Sequence, residues 1–290
     1  TSDSPTGLRP LLTLPPASSD ALIVLASARM LAEAPEGALA ILNRAPDDSI
    51  NDVSLQVLKL SVLEALGDEE AIENLFSRLV EALPDNNQFS QAWVRWHLVN
   101  NRIDDAERVM RQFAANRLLE DQAQLALVTF LGTQKGLEAA RSELEKIIGE
   151  REKTGGDTFP LQIALGELMF RSGQSGEAIG VMQSLISGTE DTDQKNQARI
   201  LLAMMYGQAG DVAQSGELVN EVLDSDSKNV DALRLRASVK TSQNDINGAI
   251  DDILLALNEA PDDPRLRTML GSAYERDGAS VLAEEQYSKA

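Results

Sequence analysis

The chain repeats itself with a fixed spacing of 34 residues towards its C-terminal end. Small residues coincide when the segment starting at Val230 is aligned with the segment starting at Pro264. The aligned pairs are Ala237 with Gly271, Ala249 with Ala283, and Ala256 with Ala290. A period of this length is typical of helix-turn-helix arrays, in which each unit buries its apolar face only by stacking on its neighbours. The repeat therefore predicts an all-α fold that grows in one dimension.

The residues at these positions resemble the consensus of the tetratricopeptide repeat (TPR) family. That pattern has a large residue and then Gly or Ala at unit positions 7 and 8, an aromatic residue at 11, Ala at 20, a large apolar residue at 24, Ala at 27 and Pro at 32. The final unit matches it at Leu270, Gly271, Tyr274, Ala283, Tyr287 and Ala290, and Pro261 closes the preceding unit. The resemblance implies a right-handed α-α superhelix, or solenoid, of about eight TPR-like helix-turn-helix units.

Carrying the spacing backwards divides residues 19–290 into eight units, of which the last is truncated. The units are predicted to begin near Ser19, Val53, Asn87, Asp121, Phe159, Asn196, Val230 and Pro264. Two intervals exceed 34 residues, and their surplus is expected to form loops at 149–157 and 187–193. Each unit is expected to hold two antiparallel helices of about twelve to fourteen residues. Residues 1–18 contain four prolines and are predicted to be a lead-in or tail without regular helix.

The register is supported by positions at which the second helix of each unit must be apolar or small. Position 24 is apolar throughout: Leu42, Phe76, Met110, Leu144, Met182, Val219, Ile253 and Tyr287. Position 27 is apolar as well: Ala45, Leu79, Phe113, Ile147, Leu185, Val222, Ala256 and Ala290. Position 20 is small in every unit but the second, which has Ile72: Ala38, Ala106, Ala140, Ala178, Ser215, Ala249 and Ala283. A small residue there lets two helices approach closely. Position 11 departs from the family pattern at Arg29 and Lys240, where an aromatic residue is expected.

The charge and cysteine content exclude several classes of function. The chain has 46 acidic and 26 basic residues, a formal charge of −20, and such a surface repels nucleic acid and anionic lipid. No cysteine is present, which excludes disulfides and thiol catalysis and suits an oxidising compartment. No window is long and apolar enough for direct membrane insertion. The sequence predicts neither a nucleic-acid partner nor a membrane span.

No stretch carries a convincing catalytic or metal-binding pattern, so no enzyme activity, cofactor or metal is predicted. The only histidine, His97, is expected to be structural, and Trp93 and Trp96 on the same helix are expected to belong to the core. Asp224–Lys228 begins like a calcium loop but lacks its glycine and its final glutamate. Gly132–Gly136 lacks the spacing of a phosphate loop. Capping and solubility are expected to explain most of the adjacent acidic pairs: Asp47-Asp48, Asp104-Asp105, Asp251-Asp252 and Asp262-Asp263.

The resemblance implies a concave groove lined by the first helix of each unit. Transferring its lining positions predicts these partner-binding residues: Ser61, Glu64, Gln88, Gln91, Arg95, Thr129, Ile163, Glu167, Phe170, Arg171, Ile200, Met204, Arg234, Ser238, Thr268, Glu275 and Arg276. Arginines in this set favour a partner segment of acidic or polar character. The alternative is that they simply pair with Glu64, Glu167 and Glu275. No three successive units spell the residue set of the co-chaperone TPR domains that hold a C-terminal carboxylate.

The sequence thus predicts a non-enzymatic protein-protein interaction scaffold that binds a protein or peptide segment in its groove. Acidic, cysteine-free arrays of this kind resemble those of bacterial envelope proteins in exopolysaccharide export or surface assembly, which favours a periplasmic location. The alternatives are the regulatory part of a larger enzyme, such as a glycosyltransferase or protease, and a cytoplasmic assembly adaptor. Because Ala290 falls inside a predicted helix, the repeats are expected to continue in a longer protein, or the chain to self-associate through this open end.

Overall fold

The computed structural model describes residues 18–290, in which every regular element is a helix. The helices are α1 (Ser19–Leu31), α2 (Pro35–Leu42), α3 (Val53–Leu66), α4 (Glu69–Ala82), α5 (Asn87–Val99), α6 (Ile103–Ala115), α7 (Asp121–Gln134), α8 (Leu137–Lys153), α9 (Phe159–Arg171), α10 (Ser175–Gly188), α11 (Thr192–Gln208), α12 (Val212–Ser225), α13 (Val230–Ser242), α14 (Ile246–Glu259), α15 (Pro264–Arg276) and α16 (Ser280–Lys289), with a 3-10 turn at Asp47–Asn51 between α2 and α3. The predicted all-α architecture is confirmed. The proline-rich lead-in expected at residues 1–18 lies, up to residue 17, outside the described residues.

Consecutive helices form pairs joined by short turns, which make the two helices of a pair antiparallel. The first helices α1, α3, α5, α7, α9, α13 and α15 begin at the residues where the repeat spacing places the start of a unit. The pairs are grouped into two compact units, one ending at Asn116 and the other spanning Arg117–Ala290. The first unit holds α1 to α6 and the second holds α7 to α16.

Position 20 of the repeat is buried in every helix pair. All eight of its residues are at most 2% exposed, including Ile72, and they are Ala38, Ile72, Ala106, Ala140, Ala178, Ser215, Ala249 and Ala283. Position 8 of the first helix faces position 24 of the second helix in the pairs that have Gly166 and Gly271 there. A Cβ atom added at Gly166 would lie 2.3 Å from Cε of Met182, which occupies position 24 of the same unit. The small residues of the pattern thus set the spacing of the two helices in a pair.

Two helices are longer than predicted, and the predicted loops are correspondingly shorter. Helices α8 and α11 each have 17 residues. The stretch 149–157 is helical as far as Lys153, and 187–193 is helical except at 189–191. The extension of α8 is stabilised by Arg151, which is 8% exposed, pairs with Asp121 and donates to the carbonyl of Leu118 at 2.9 Å. The surplus residues therefore add turns of helix as well as loop, and in α8 the buried contacts of Arg151 favour the added turn.

The unit that ends at Asn116 contains an apolar cluster formed by α1, α2 and α3 and an aromatic cluster formed by α4 and α5. Leu22, Ala26, Ala38, Leu42, Leu55 and Val62 form the apolar cluster. In the aromatic cluster Phe76 stacks on Trp93 with ring centroids 5.9 Å apart, and His97 contacts both Trp93 and Trp96 at 5.8 and 5.1 Å. Trp93, Trp96 and His97 are at most 9% exposed, so the predicted place of the two tryptophans in the core is confirmed.

The unit Arg117–Ala290 contains two apolar clusters, one over α7 to α11 and one over α11 to α15. The second encloses the carboxylate of Asp252, which belongs to one of the adjacent acidic pairs expected to act mainly in capping or solubility. Asp252 is 2% exposed and accepts hydrogen bonds from Arg236 at 2.7 and 2.9 Å, while Nζ of Lys240 lies 2.8 Å from the same carboxylate. Burial by itself raises the pKa of Asp252, but these donors outweigh burial and hold the pKa below its ordinary range. Lys240 occupies position 11, where the family pattern has an aromatic residue, and its ammonium group pairs with this carboxylate.

Candidate functional site

The first helices of the unit Arg117–Ala290 form one continuous surface. Helix α9 packs against α7 on one side and α11 on the other, and α11 packs in turn against α13. We call the surface formed by α7, α9, α11 and α13 the first-helix face. Each first helix has a row of side chains that point away from the second helix of its own pair. Side chains of neighbouring first helices therefore lie next to one another on this surface.

A cleft with a volume of about 610 Å³ lies on this face and is centred on α11. We call it the α11 cleft. It is lined by Glu167, Asp193, Asn196, Gln197, Ile200, Leu201, Met204, Asn229, Asp231 and Arg234. Four of these residues, namely Glu167, Ile200, Met204 and Arg234, belong to the predicted groove. The apolar floor and polar rim of the cleft resemble the composition of binding grooves in general.

Two smaller clefts adjoin the α11 cleft and share lining residues with it. The cleft between α7, α8 and α9 has a volume of about 310 Å³ and contains Thr129, Glu167 and Arg171. The cleft between α11, α12 and α13 has a volume of about 340 Å³ and contains Met204 and Ser238. Glu167 connects the first of these to the α11 cleft, and Met204 connects the second. The three clefts therefore form a connected series from α7 to α13, and the second helices α8 and α12 contribute to the walls of the two smaller clefts.

The unit ending at Asn116 has a separate cleft of about 290 Å³ between α3, α4 and α5. Four predicted groove residues line it, namely Ser61, Glu64, Gln88 and Arg95. The rest of its lining is mainly apolar, with Leu60, Phe89 and Trp96 among the buried members and Val99 strongly exposed.

The arginines of the predicted groove do not pair with the glutamates that the alternative interpretation assigned to them. Arg234 donates to Asp231 at 2.8 Å, one turn earlier on α13. Arg95 and Arg171 make no ion pair within residues 18–290. Glu275 instead accepts a hydrogen bond from the hydroxyl of Tyr287 at 3.0 Å. The guanidinium groups of Arg95 and Arg171 are therefore available to a ligand.

Several predicted groove residues lie elsewhere. Ile163 offers almost no surface, since it is 6% exposed and belongs to the apolar cluster that joins α7 to α11. Phe170 is half-buried and packs against that cluster. The remaining ones are exposed but line none of the four clefts described: Gln91, Thr268, Glu275 and Arg276.

Sequence reasoning missed the polar residues that complete the α11 cleft. Asp193 reaches it because α11 begins four residues before the predicted unit start at Asn196, whereas Gln197 is the second residue of that predicted unit. A signal for this early start is present in the sequence. Asp191 caps the helix by accepting from the backbone N–H of Gln194 at 3.0 Å, and an acidic cap followed three residues later by Gln is a helix-start pattern.

The described part of the chain has no group of side chains that could form a metal centre. His97 is fully buried, and neither of its ring nitrogens has a hydrogen-bond partner. Burial lowers the pKa of His97, although the carboxylate of Glu73, 3.7 Å from Nε2, acts in the opposite direction. Across residues 18–290 no three His, Cys, Asp or Glu side chains are grouped so that they could hold a metal ion. None of the helices from α1 to α16 has the length and hydropathy that a membrane span requires.

Comparisons with known proteins identify the fold. No protein-family model and no curated protein matches the sequence. A chain of the Naa15/Naa10 complex bound to HypK-THB matches the structure with a TM-score of 0.57 and 18% identity over 96% of this chain, which spans 43% of the length of that one. A tetratricopeptide repeat protein from Parabacteroides merdae ATCC 43184 matches with a TM-score of 0.50 and 14% identity, covering 88% of this chain and 98% of that one. The chain therefore has the fold of a tetratricopeptide repeat protein.

Proposed function

We propose that the protein is a non-enzymatic interaction scaffold and that it holds an extended segment of a partner protein along the first-helix face. The observation that carries this proposal is the continuity of the three clefts, which share Glu167 and Met204 as they cross from α7 to α13. An extended chain advances roughly 3.3 Å per residue and presents alternate side chains to one side, so it suits a row of clefts better than a compact ligand does.

The chemistry of the face supports a peptide ligand. Its floor contains aliphatic and thioether side chains, with Ile200, Leu201 and Met204 half-buried. Its rim contains side chains that can donate to or accept from a peptide backbone, such as Gln197 and Thr129, both exposed. The similar Naa15/Naa10 chain belongs to a complex of several proteins, which is consistent with a scaffold role for this fold.

Site-specific photo-cross-linking tests the proposal. A photoreactive benzoylphenylalanine is introduced at Gln197, which lines the α11 cleft, in the full chain expressed in the cells that normally produce it. A matched variant carries the same group at Asn220, which is exposed on α12 and lines none of the three clefts. Cross-linked peptides are identified by mass spectrometry. We expect a partner segment attached at position 197 and not at 220. Equal adducts at both positions, or none at 197, would reject binding on this face.

A further inference from the structure

The α11 cleft carries an imbalance of charge that limits what its occupant can be. Three carboxylates line it, from Glu167, Asp193 and Asp231, against the single guanidinium group of Arg234. Arg234 is already paired with Asp231 at 2.8 Å. Neither Glu167 nor Asp193 makes an ion pair or a side-chain hydrogen bond within residues 18–290. Two carboxylates at the rim of this cleft are therefore left without an ion-pair partner.

The rest of the lining does not neutralise these two groups. Asn196 is 4% exposed, and its amide is engaged with the hydroxyl of Ser225 at 3.0 Å. Asn229 uses its side chain to cap α13, accepting from the backbone N–H of Ala232 at 3.1 Å. Gln197 is exposed and uncharged. The apolar residues on the floor of the cleft can pack against aliphatic groups. The cleft therefore combines an apolar floor with an acidic rim.

We propose that the α11 cleft selects a partner segment in which lysine or arginine lies next to an aliphatic residue. This inference rests on the proposed function and specifies the chemistry of the bound segment. The aliphatic side chain packs on Ile200 and Met204, and the cation lies between Glu167 and Asp193. The formal charge of −20 on the whole chain attracts such a segment over long range. The charge on the cleft is thus opposite to that favoured by counting the groove arginines in the sequence.

Three synthetic peptides test the proposal. They share one uncharged Ser/Gly sequence with a single leucine and differ only in two flanking residues, which are lysine, glutamate or glutamine. Binding to the full chain is measured by fluorescence anisotropy at low and at high salt. We expect the lysine peptide to bind more tightly than the glutamine peptide and the glutamate peptide to bind least, with the preference reduced at high salt.

Matched variants separate the cleft from the general acidic surface. The variant Glu167→Gln/Asp193→Asn removes the two unpaired carboxylates. The control Glu217→Gln/Asp224→Asn removes the same charge from exposed positions on α12 that line none of the three clefts. We expect the cleft variant to weaken binding of the lysine peptide by about fivefold, since each partly exposed ion pair contributes modestly. We expect the control variant to change it little.

The results distinguish failure of this inference from failure of the proposed function. Equal binding of the three peptides, or equal losses in the cleft and control variants, would overturn the assignment of a cationic segment. A partner segment cross-linked at position 197 that lacks lysine and arginine would also overturn it, while leaving the groove proposal intact. Absence of any adduct at position 197 would reject the groove itself.

Discussion

A left-handed residue ends the first helix in seven of the eight pairs, at position 15 of the repeat. The residues are Glu33, Gly67, Asn101, Gly173, Gly210, Asn244 and Gly278, all with φ between 53° and 87°. Glycine and asparagine adopt this conformation readily, but glutamate does so at a cost of about 1 kcal/mol. Glu33 is exposed, so its side chain makes no buried contact that would offset this cost.

We expect Glu33→Asn to raise the free energy of unfolding by about 1 kcal/mol, because asparagine occupies the equivalent position at Asn101 and Asn244. Urea denaturation followed by circular dichroism measures the change. Glu33→Ala is the matched control, since alanine keeps the strained Cβ atom and removes the carboxylate. If alanine stabilised the chain as much as asparagine, the charge of Glu33 and not its backbone would be responsible.

His97 makes the stability of the protein depend on pH in a range where few other groups titrate. It is the only histidine, and burial lowers its pKa from an ordinary value of 6.5. The charged groups that act on it are Glu73, Asp105, Arg108 and Arg102. Below pH 6.5 the unfolded chain takes up a proton at this position more readily than the folded chain does, so the free energy of unfolding falls as the pH is lowered.

We expect the His97→Leu variant to lose less stability than the wild type between neutral pH and about pH 5. Leucine also removes two buried nitrogens that have no partner, so the variant should be at least as stable at neutral pH. Chemical denaturation at several pH values measures both effects. The many carboxylates contribute the same background to both proteins, and parallel pH profiles would show that His97 is protonated equally in the folded and unfolded states.

At the scale of the helix pair, packing between positions 8 and 24 decides which side chains fit. In the pair α9 and α10, Gly166 leaves room for the terminal methyl group of Met182, which is fully buried. We expect Gly166→Val to destabilise the chain by about 2 kcal/mol and Met182→Ala by about 3 kcal/mol. In the double variant valine fills part of the space left by methionine, so the combined loss should be at least about 1 kcal/mol smaller than the sum.

Thermal and urea unfolding of the four proteins in this double-mutant cycle measures the coupling. Gly180 on α10 has open space around it, so Gly180→Val combined with Met182→Ala is a suitable control that should show additive losses. Strictly additive losses in the Gly166 cycle would mean that the two positions do not touch in solution.

The helix starts and the small residues between helices could be predicted from the sequence because they are set by local spacing and by close contact. The repeat spacing could not predict the length of α8, which depends on contacts made far along the chain, such as that of Arg151 with Asp121. The early start of α11 has a local signal in the cap Asp191, which lies outside the repeat pattern. The same limit applies to the site. Residues at repeat positions, such as Met204 and Arg234, could be assigned to the α11 cleft, whereas Asp193 enters it only through the extra turn of α11.

At the scale of the whole molecule, parts of the fold are expected to unfold separately, because each helix pair contacts mainly its sequence neighbours. The boundary between the compact units falls between Asn116 and Arg117. A cut there leaves both apolar clusters of the second unit complete. A cut between α10 and α11 instead separates Ala198, Leu202 and Met205 from the cluster residues Leu168 and Leu185.

We therefore expect a fragment of residues 117–290 to be helical and to unfold in a single cooperative transition in urea. A fragment of residues 192–290, also cut between helix pairs, should unfold at a lower urea concentration, because it exposes apolar side chains that are buried in the intact chain. Circular dichroism gives the helix content, and the loss of dispersed amide signals in NMR spectra follows the tertiary structure. A molten fragment 117–290 would mean that the second unit does not fold without the residues before it. Equal midpoints for the two fragments would mean that the apolar contacts of α11 with the helices before it do not stabilise the fragment.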